Sequence, residues 1–108
     1  MSAAQLTAAE VAAALGRGEL AAVDVREAGE WQAGHIDGAV WIPMGELADR
    51  LAELPGGALA IVCRSGSRSG IVADWLERSG VDAANMAGGM QAWQAAALPI
   101  VPADGWIA

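Results

Sequence analysis

Residues 59–70 read LAIVCRSGSRSG. An unbroken apolar run, partly β-branched, ends in the chain's only cysteine, Cys63, and two arginines among small residues follow. A short run without polar alternation predicts a strand buried on both faces, as in a parallel sheet. From Ser67 onward, Ile71, Val72, Trp75 and Leu76 recur at helical spacing until Gly80, which predicts a helix immediately after the loop. The stretch is therefore strand, tight loop, helix. In parallel sheets covered by helices, ligands sit beyond the carboxyl ends of the strands, and Cys63 stands at such an end.

The same alternation extends in both directions. Thr7 and Glu10 have the spacing of a capping box, predicting a helix to about Leu15. LAAVDV, ending near Asp24, and GAVWIP, stopped by Pro43, read as short strands. Leu47, Leu51 and Leu54 recur at helical spacing before PGG at 55–57, predicting a helix there. A strand around Ala84–Met86 leads through Gly88 and Gly89 into a last helix carrying Trp93 and ended by Pro99. Strands alternating with helices predict an α/β domain, a parallel sheet with helices on both faces. At 108 residues the chain accommodates one domain. Its core is expected at about 6–99, with 100–108 as a C-terminal tail.

Composition narrows the functions open to it. The formal net charge of −7 argues against a nucleic-acid or anionic-membrane surface, which requires a basic patch. All positive side-chain charge falls to six arginines, since Lys is absent. Residues 54–73 nonetheless hold Arg64 and Arg68 and no acid, a local positive spot on an acidic body. One Cys and one His build neither an internal disulfide nor a structural zinc site, so no metal or organic cofactor is expected. There is no apolar stretch long enough to span a bilayer, and MSAAQLTAAE lacks the basic start and apolar middle of an export signal. The default expectation is the reducing cytoplasm.

The loop has the chemistry of an anion cradle. Small residues at 65, 66, 67 and 69 let the backbone approach closely, and Gly66 permits a positive φ. Successive N–H groups then point inward as a nest, reinforced by the positive end of the following helix. A free thiol of pKa about 8.5 is roughly 3% ionised at pH 7. Lowering it to about 7 requires about 2 kcal/mol of differential stabilisation, which a helix terminus and nearby Arg charge can supply. A buried, inert strand cysteine is the plain alternative, but a simple turn has no use for two arginines bracketing small residues.

CRSGSRS at 63–69 resembles the active-site loop of single-domain rhodaneses, the sulfurtransferases. DVRE at 24–27, GHIDGAVWIP at 34–43 and AGGMQAW at 87–93 resemble three further segments of that family, in order. The resemblance runs from about Leu6 to Pro99. It implies a three-layer α/β fold with a mostly parallel five-stranded sheet. It also implies that Cys63 is the nucleophile, taking sulfur from a donor such as thiosulfate or a persulfide. A thiol or cyanide then removes that sulfur; a partner protein's persulfide is an equally compatible donor. Loop residues Arg64, Ser65, Gly66, Ser67, Arg68 and Ser69 are expected to hold an exposed anionic sulfur. Arg68 is expected to orient the donor's charged end, while the side chain of Arg64 is free to point to solvent.

Other residues invite weighing. Asp24 is expected to brace the loop or pair with Arg26, because a carboxylate beside the sulfur would raise the thiol's pKa. Arg26 and Glu27 read as ion-pair scaffold. His35 reads as a residue that ties down a turn through its ring nitrogens. Trp31, Trp75, Trp93, Met86 and Met90 read as core. Cysteine phosphatases and arsenate reductases separate Cys from Arg by five residues, usually with His before the Cys. Here four separate Cys63 from Arg68, and Val62 precedes, which suits a lone sulfur better than a tetrahedral oxyanion. A sulfur carrier, or a sensing and partner-docking module, is the remaining class; it differs from the enzyme chiefly in its donor.

Overall fold

The computed structural model describes residues 2–108. Strand β1 (Ala4–Leu6) precedes helix α1 (Ala8–Gly16), β2 (Ala21–Asp24), α2 (Ala28–Ala33) and β3 (Val40–Trp41). Strand β4 (Leu59–Val62), α3 (Ser67–Arg78), β5 (Ala83–Met86) and α4 (Gly89–Ala95) follow. The five strands form one sheet in the order β1-β5-β4-β2-β3, and every neighbouring pair is parallel.

Burial follows the pleat of β4, whose four residues are all buried. Leu59, Ile61 and the adjoining Cys63 join a cluster with Val72, Ala73 and Leu76 of α3. Ala60 and Val62 join Val11 of α1 and Met90 and Trp93 of α4 on the other side. Successive strand residues point to opposite faces, so the sheet is packed by helices on both. Each fully buried Val, Leu or Ile stabilises the fold by roughly 1.5–3 kcal/mol before entropy is charged against it.

Thr7 caps α1 as expected: its hydroxyl accepts from the Glu10 N–H while the Glu10 carboxylate accepts from the Thr7 N–H. The helix expected from Leu47, Leu51 and Leu54 is corrected. Residues 44–49 and 51–53 form two short 3-10 turns broken at Arg50 (φ −124°, ψ 22°). The connection is short and held between Pro43 and Pro55, and only Leu47 of the three leucines is fully buried. Tight 3-10 turns fill such connections better than a full α-helix.

Residues 100–108, expected as a tail outside the core, pack back onto it. Val101 and His35 exchange backbone hydrogen bonds of 2.8 and 3.0 Å, and the Trp106 N–H donates to Ala33 O at 2.9 Å. Ile100 and Ile107 lie against the α1/α4 cluster. A Cβ at Gly34 would lie 2.8 Å from both Ile100 Cδ1 and Trp106 O, so this docking depends on a glycine there. Among the described residues no helix is long and apolar enough to cross a membrane.

Candidate functional site

All strands being parallel, their carboxyl ends share one edge of the sheet. Asp24 lies in register with Val62, and Ile61 with Asn85. Side chains two apart on a strand share a face. Cys63 therefore points to the α3 side together with Asn85, whereas Asp24 points to the other side with Val62.

From Cys63 the chain curls through residues 64–66 into α3. Gly66 supplies the turn with φ +97°, and a Cβ there would come within 3.0 Å of the Gly88 N–H nitrogen. The Gly66 amide donates to Cys63 Sγ at 3.0 Å, and the buried Ser69 hydroxyl lies 3.2 Å from the same sulfur. Burial acts most strongly on the thiol and pushes its pKa up. The Ser69 hydroxyl and the amides of Ser69, Gly66 and Ser65 together outweigh burial and leave the thiol below its ordinary value. The expectation of an exposed sulfur is corrected: Cys63 is 0% exposed, because the loop that supplies the donors folds over it. The inward-facing amides themselves are present.

Two groups in this shell carry no signal in the loop's own sequence. Asn85 accepts from Ser69 Oγ at 2.6 Å, and its amide nitrogen donates to Gln5 Oε1 and Gly66 O. Its mark in the sequence is a polar residue inside the short apolar strand AANM. Glu30, on α2, accepts from Arg68 through both carboxylate oxygens at 2.8 Å and from the Glu27 N–H at 3.0 Å. Those hydrogen bonds, Arg68's foremost, hold its carboxyl at about 2, and the same pairing raises the Arg68 guanidinium. The signal for Glu30 was an acid three residues into a helix that opens at Glu27.

Arg64 is exposed, and its Nε donates to Ala108 O at 2.8 Å. Ser65 and Ser67 are exposed, with their hydroxyl oxygens 3.5 Å apart. Asp24 and Arg26 form a buried pair, Nη2 to Oδ2 at 2.7 Å, 1% and 0% exposed. Arg26 also donates to Glu30 O and Gly34 O, so the pair ties the end of β2 to the middle and the C-cap of α2. Glu27 contributes its amide to Glu30 rather than an ion pair to Arg26. His35 Nδ1 lies 2.7 Å from Trp31 O; a carbonyl only accepts, so that nitrogen carries the proton. Trp31 is half-buried and stacks on His35 at 3.5 Å and on Trp41 at 5.8 Å, a surface stack rather than core. Met86, Met90 and Trp93 are buried core; Trp75 is half-buried beside it. Among the described residues no three His, Cys, Asp or Glu side chains cluster to hold a metal ion.

The arrangement can hold one anionic sulfur atom at a strand end under a helix N-terminus. Residues 7–96 match the family model described as the rhodanese-like domain. The chain is 36% identical over 85 residues to a sulfurtransferase of Allochromatium vinosum, covering 77% of this chain and 79% of that one. It is 39% identical over 98 residues to an HTH-type transcriptional regulator of Mycobacterium tuberculosis, covering 88% of this chain but 43% of that longer protein. Among solved structures, a rhodanese-related protein from Thermoplasma volcanium superposes with a TM-score of 0.85 at 27% identity, covering 91% of this chain and 97% of that one.

Proposed function

The chain belongs to the rhodanese-like domain family, and on that premise we propose that it is a sulfurtransferase working through a Cys63 persulfide. The observation that supports this reading is the pair of donors, Gly66 N–H and Ser69 Oγ, directed at a sulfur whose pKa lies below the ordinary value. In the first half-reaction the Cys63 thiolate attacks the outer sulfur of the donor. A new S–S bond forms, the donor's S–S bond breaks, and the leaving group departs with the bonding pair: sulfite from thiosulfate, a thiol from a persulfide. In the second half an acceptor nucleophile, cyanide or a thiolate, attacks the outer sulfur and returns Cys63 to thiolate. Covalent catalysis of this kind divides one transfer into two easier ones.

Loop residues 64–69 serve the anion. Their amides and the Ser69 hydroxyl donate to the sulfur, and the small side chains let the covering loop yield when the donor enters. Arg68 retains N–H groups beyond the two spent on Glu30 and orients the donor by hydrogen bonding. Asp24 and Arg26 hold the frame from the opposite face. The chain holds no second cysteine, so the sulfur leaves to an outside acceptor rather than to an internal disulfide.

Intact mass spectrometry after brief incubation with thiosulfate, and separately with glutathione persulfide, tests the reading. The expected result is a gain of one sulfur atom, reversed by cyanide and absent in Cys63→Ala. No gain from either donor would overturn it. Loading only from a partner protein's persulfide would mark a carrier instead.

A further inference from the structure

The loop's two arginines differ in what they can offer a donor. Arg68 closes a two-point ion pair on Glu30, with both contacts at 2.8 Å and side chains 35% and 18% exposed. The carboxylate is itself fixed from behind by the Glu27 N–H. Arg64 is exposed and turned toward Ala108 O. Arg26 lies within reach of the Glu30 backbone, but its charge is met by buried Asp24. Of the loop's two arginines, therefore, the more sheltered one, Arg68, arrives already neutralised by a carboxylate.

That charge balance discriminates among sulfur donors. Thiosulfate carries two negative charges within a few bonds of the sulfur under attack, and it must approach a thiolate. A persulfide R–S–SH carries its remaining charges on the distant body of R. Sheltered charges are weakly screened, so the carboxylate that already pairs with Arg68 weighs more heavily against a dianion brought to that guanidinium.

We infer that Glu30 is a specificity-determining residue: by closing Arg68 into an ion pair it sets the site against small dianionic donors and toward persulfides of thiols. This inference rests on the sulfurtransferase reading above. The favoured step is R–S–SH plus Cys63 thiolate giving R–SH plus the Cys63 persulfide anion. The donor's S–S bond breaks, its inner sulfur leaves with the electron pair, and the proton of the transferred sulfur ends on the departing thiol. Sulfur oxidation states exchange without an outside oxidant.

Glu30→Gln separates charge from geometry, because a Gln oxygen still accepts from Arg68 while the negative charge is gone. The experiment measures kcat/KM for glutathione persulfide and for thiosulfate, with a common acceptor, in the wild-type chain and in E30Q. In the wild type the persulfide is expected to lead by roughly tenfold or more, and in E30Q the ratio is expected to move about fivefold toward thiosulfate, through a lower thiosulfate KM. A wild-type preference for thiosulfate overturns the inference, as does an unmoved ratio in E30Q or an equal loss with both donors. If circular dichroism shows E30Q unfolded, the wild-type ratio alone decides. Failure of both donors to load Cys63 removes the sulfurtransferase reading as well, an outcome distinct from a wrong preference between donors that both load.

Discussion

Ser69 has one hydroxyl proton and two acceptors for it, Cys63 Sγ at 3.2 Å and Asn85 Oδ1 at 2.6 Å. The Asn85 amide nitrogen faces Gln5 Oε1 and Gly66 O, so its oxygen must face Ser69 and the hydroxyl must be the donor. With a neutral thiol the proton rests on Asn85; ionisation of Cys63 draws it toward sulfur. Hydrogen bonds to charged groups contribute about 1.5–3 kcal/mol, so Ser69→Ala should raise the thiol's pKa. The pH profile of iodoacetamide alkylation reads this directly: its midpoint should lie below an ordinary thiol in the wild type and move up in the variant. A coincident midpoint would remove Ser69 from the sulfur's electrostatics. The sign for stability follows from the same shift. A thiol lowered in the folded state adds stability at pH above its unfolded value, and that contribution is lost as pH falls through the folded pKa. Cys63 and its loop could be read from sequence because strand end, glycine, small residues and arginines are contiguous. Asn85 could not, because only the β4–β5 register brings it to the sulfur. Glu30 was hidden for the same reason, reaching Arg68 across 38 residues of chain. Nor could sequence give the burial of the thiol, since a loop short of bulky side chains says nothing of how closely it folds down.

The loop is shaped by an element that never touches the sulfur. Helix α4 begins against the Cys63–Arg64 peptide: the Met90 N–H donates to Cys63 O at 2.8 Å and the Gln91 N–H to Arg64 O at 3.0 Å. Those carbonyls are fixed outward, which leaves the loop's amides to turn inward. Contact this close requires Gly89, at φ +57°, where a Cβ would lie 2.4 Å from Cys63 O and 2.6 Å from Arg64 C. Gly89→Ala combines a left-handed backbone cost with overpacking against peptide atoms that cannot rotate away, about 2–4 kcal/mol together. Thermal unfolding should show Tm lowered by about 10–20 °C, with Cys63 alkylation at neutral pH slowed in whatever remains folded. A Tm within a few degrees of wild type would mean that α4 does not brace the loop. At this scale sequence reading succeeded where a signal was local. The Thr7–Glu10 cap, the helix opening at Ser67 and the strand at 59–62 all follow from neighbouring residues. It failed at Leu47, Leu51 and Leu54, where helical spacing was present but the distance between Pro43 and Pro55 selects tighter turns. Strand β1 carries no local signal either. It is three residues long with a polar centre, and only pairing with β5 makes it a strand.

The whole molecule carries its charge unevenly, and four of its six arginines are paired with acids: Arg17 with Glu19, Arg26 with Asp24, Arg50 with Glu46 and Glu53, and Arg68 with Glu30. The layered α/β plan was legible because alternating strands and helices leave a parallel sheet as the economical solution. The return of residues 100–108 onto Ala33 and His35 was not, since those contacts join Val101 to His35 and Trp106 to Ala33, far apart along the chain. Pairing on this scale leaves the net charge of −7 with little cationic surface to set against it near the loop beyond Arg64. A dianionic donor approaching from bulk solvent is repelled by the body before it meets the loop's amides. Raising ionic strength to physiological values shortens screening to about 8 Å, which removes the long-range repulsion first and leaves the short contacts at the sulfur nearly intact. The second-order rate of Cys63 sulfuration by thiosulfate should therefore rise or stay level between about 20 and about 300 mM potassium chloride. A steep fall would show that attraction by the loop dominates and that the acidic body is irrelevant. Iodoacetamide, which is neutral, serves as the internal control. Its rate responds to the thiolate fraction and to loop opening but not to steering. A salt effect on thiosulfate that iodoacetamide does not share thus belongs to the field of the whole protein, while one shared by both belongs to the sulfur's own environment.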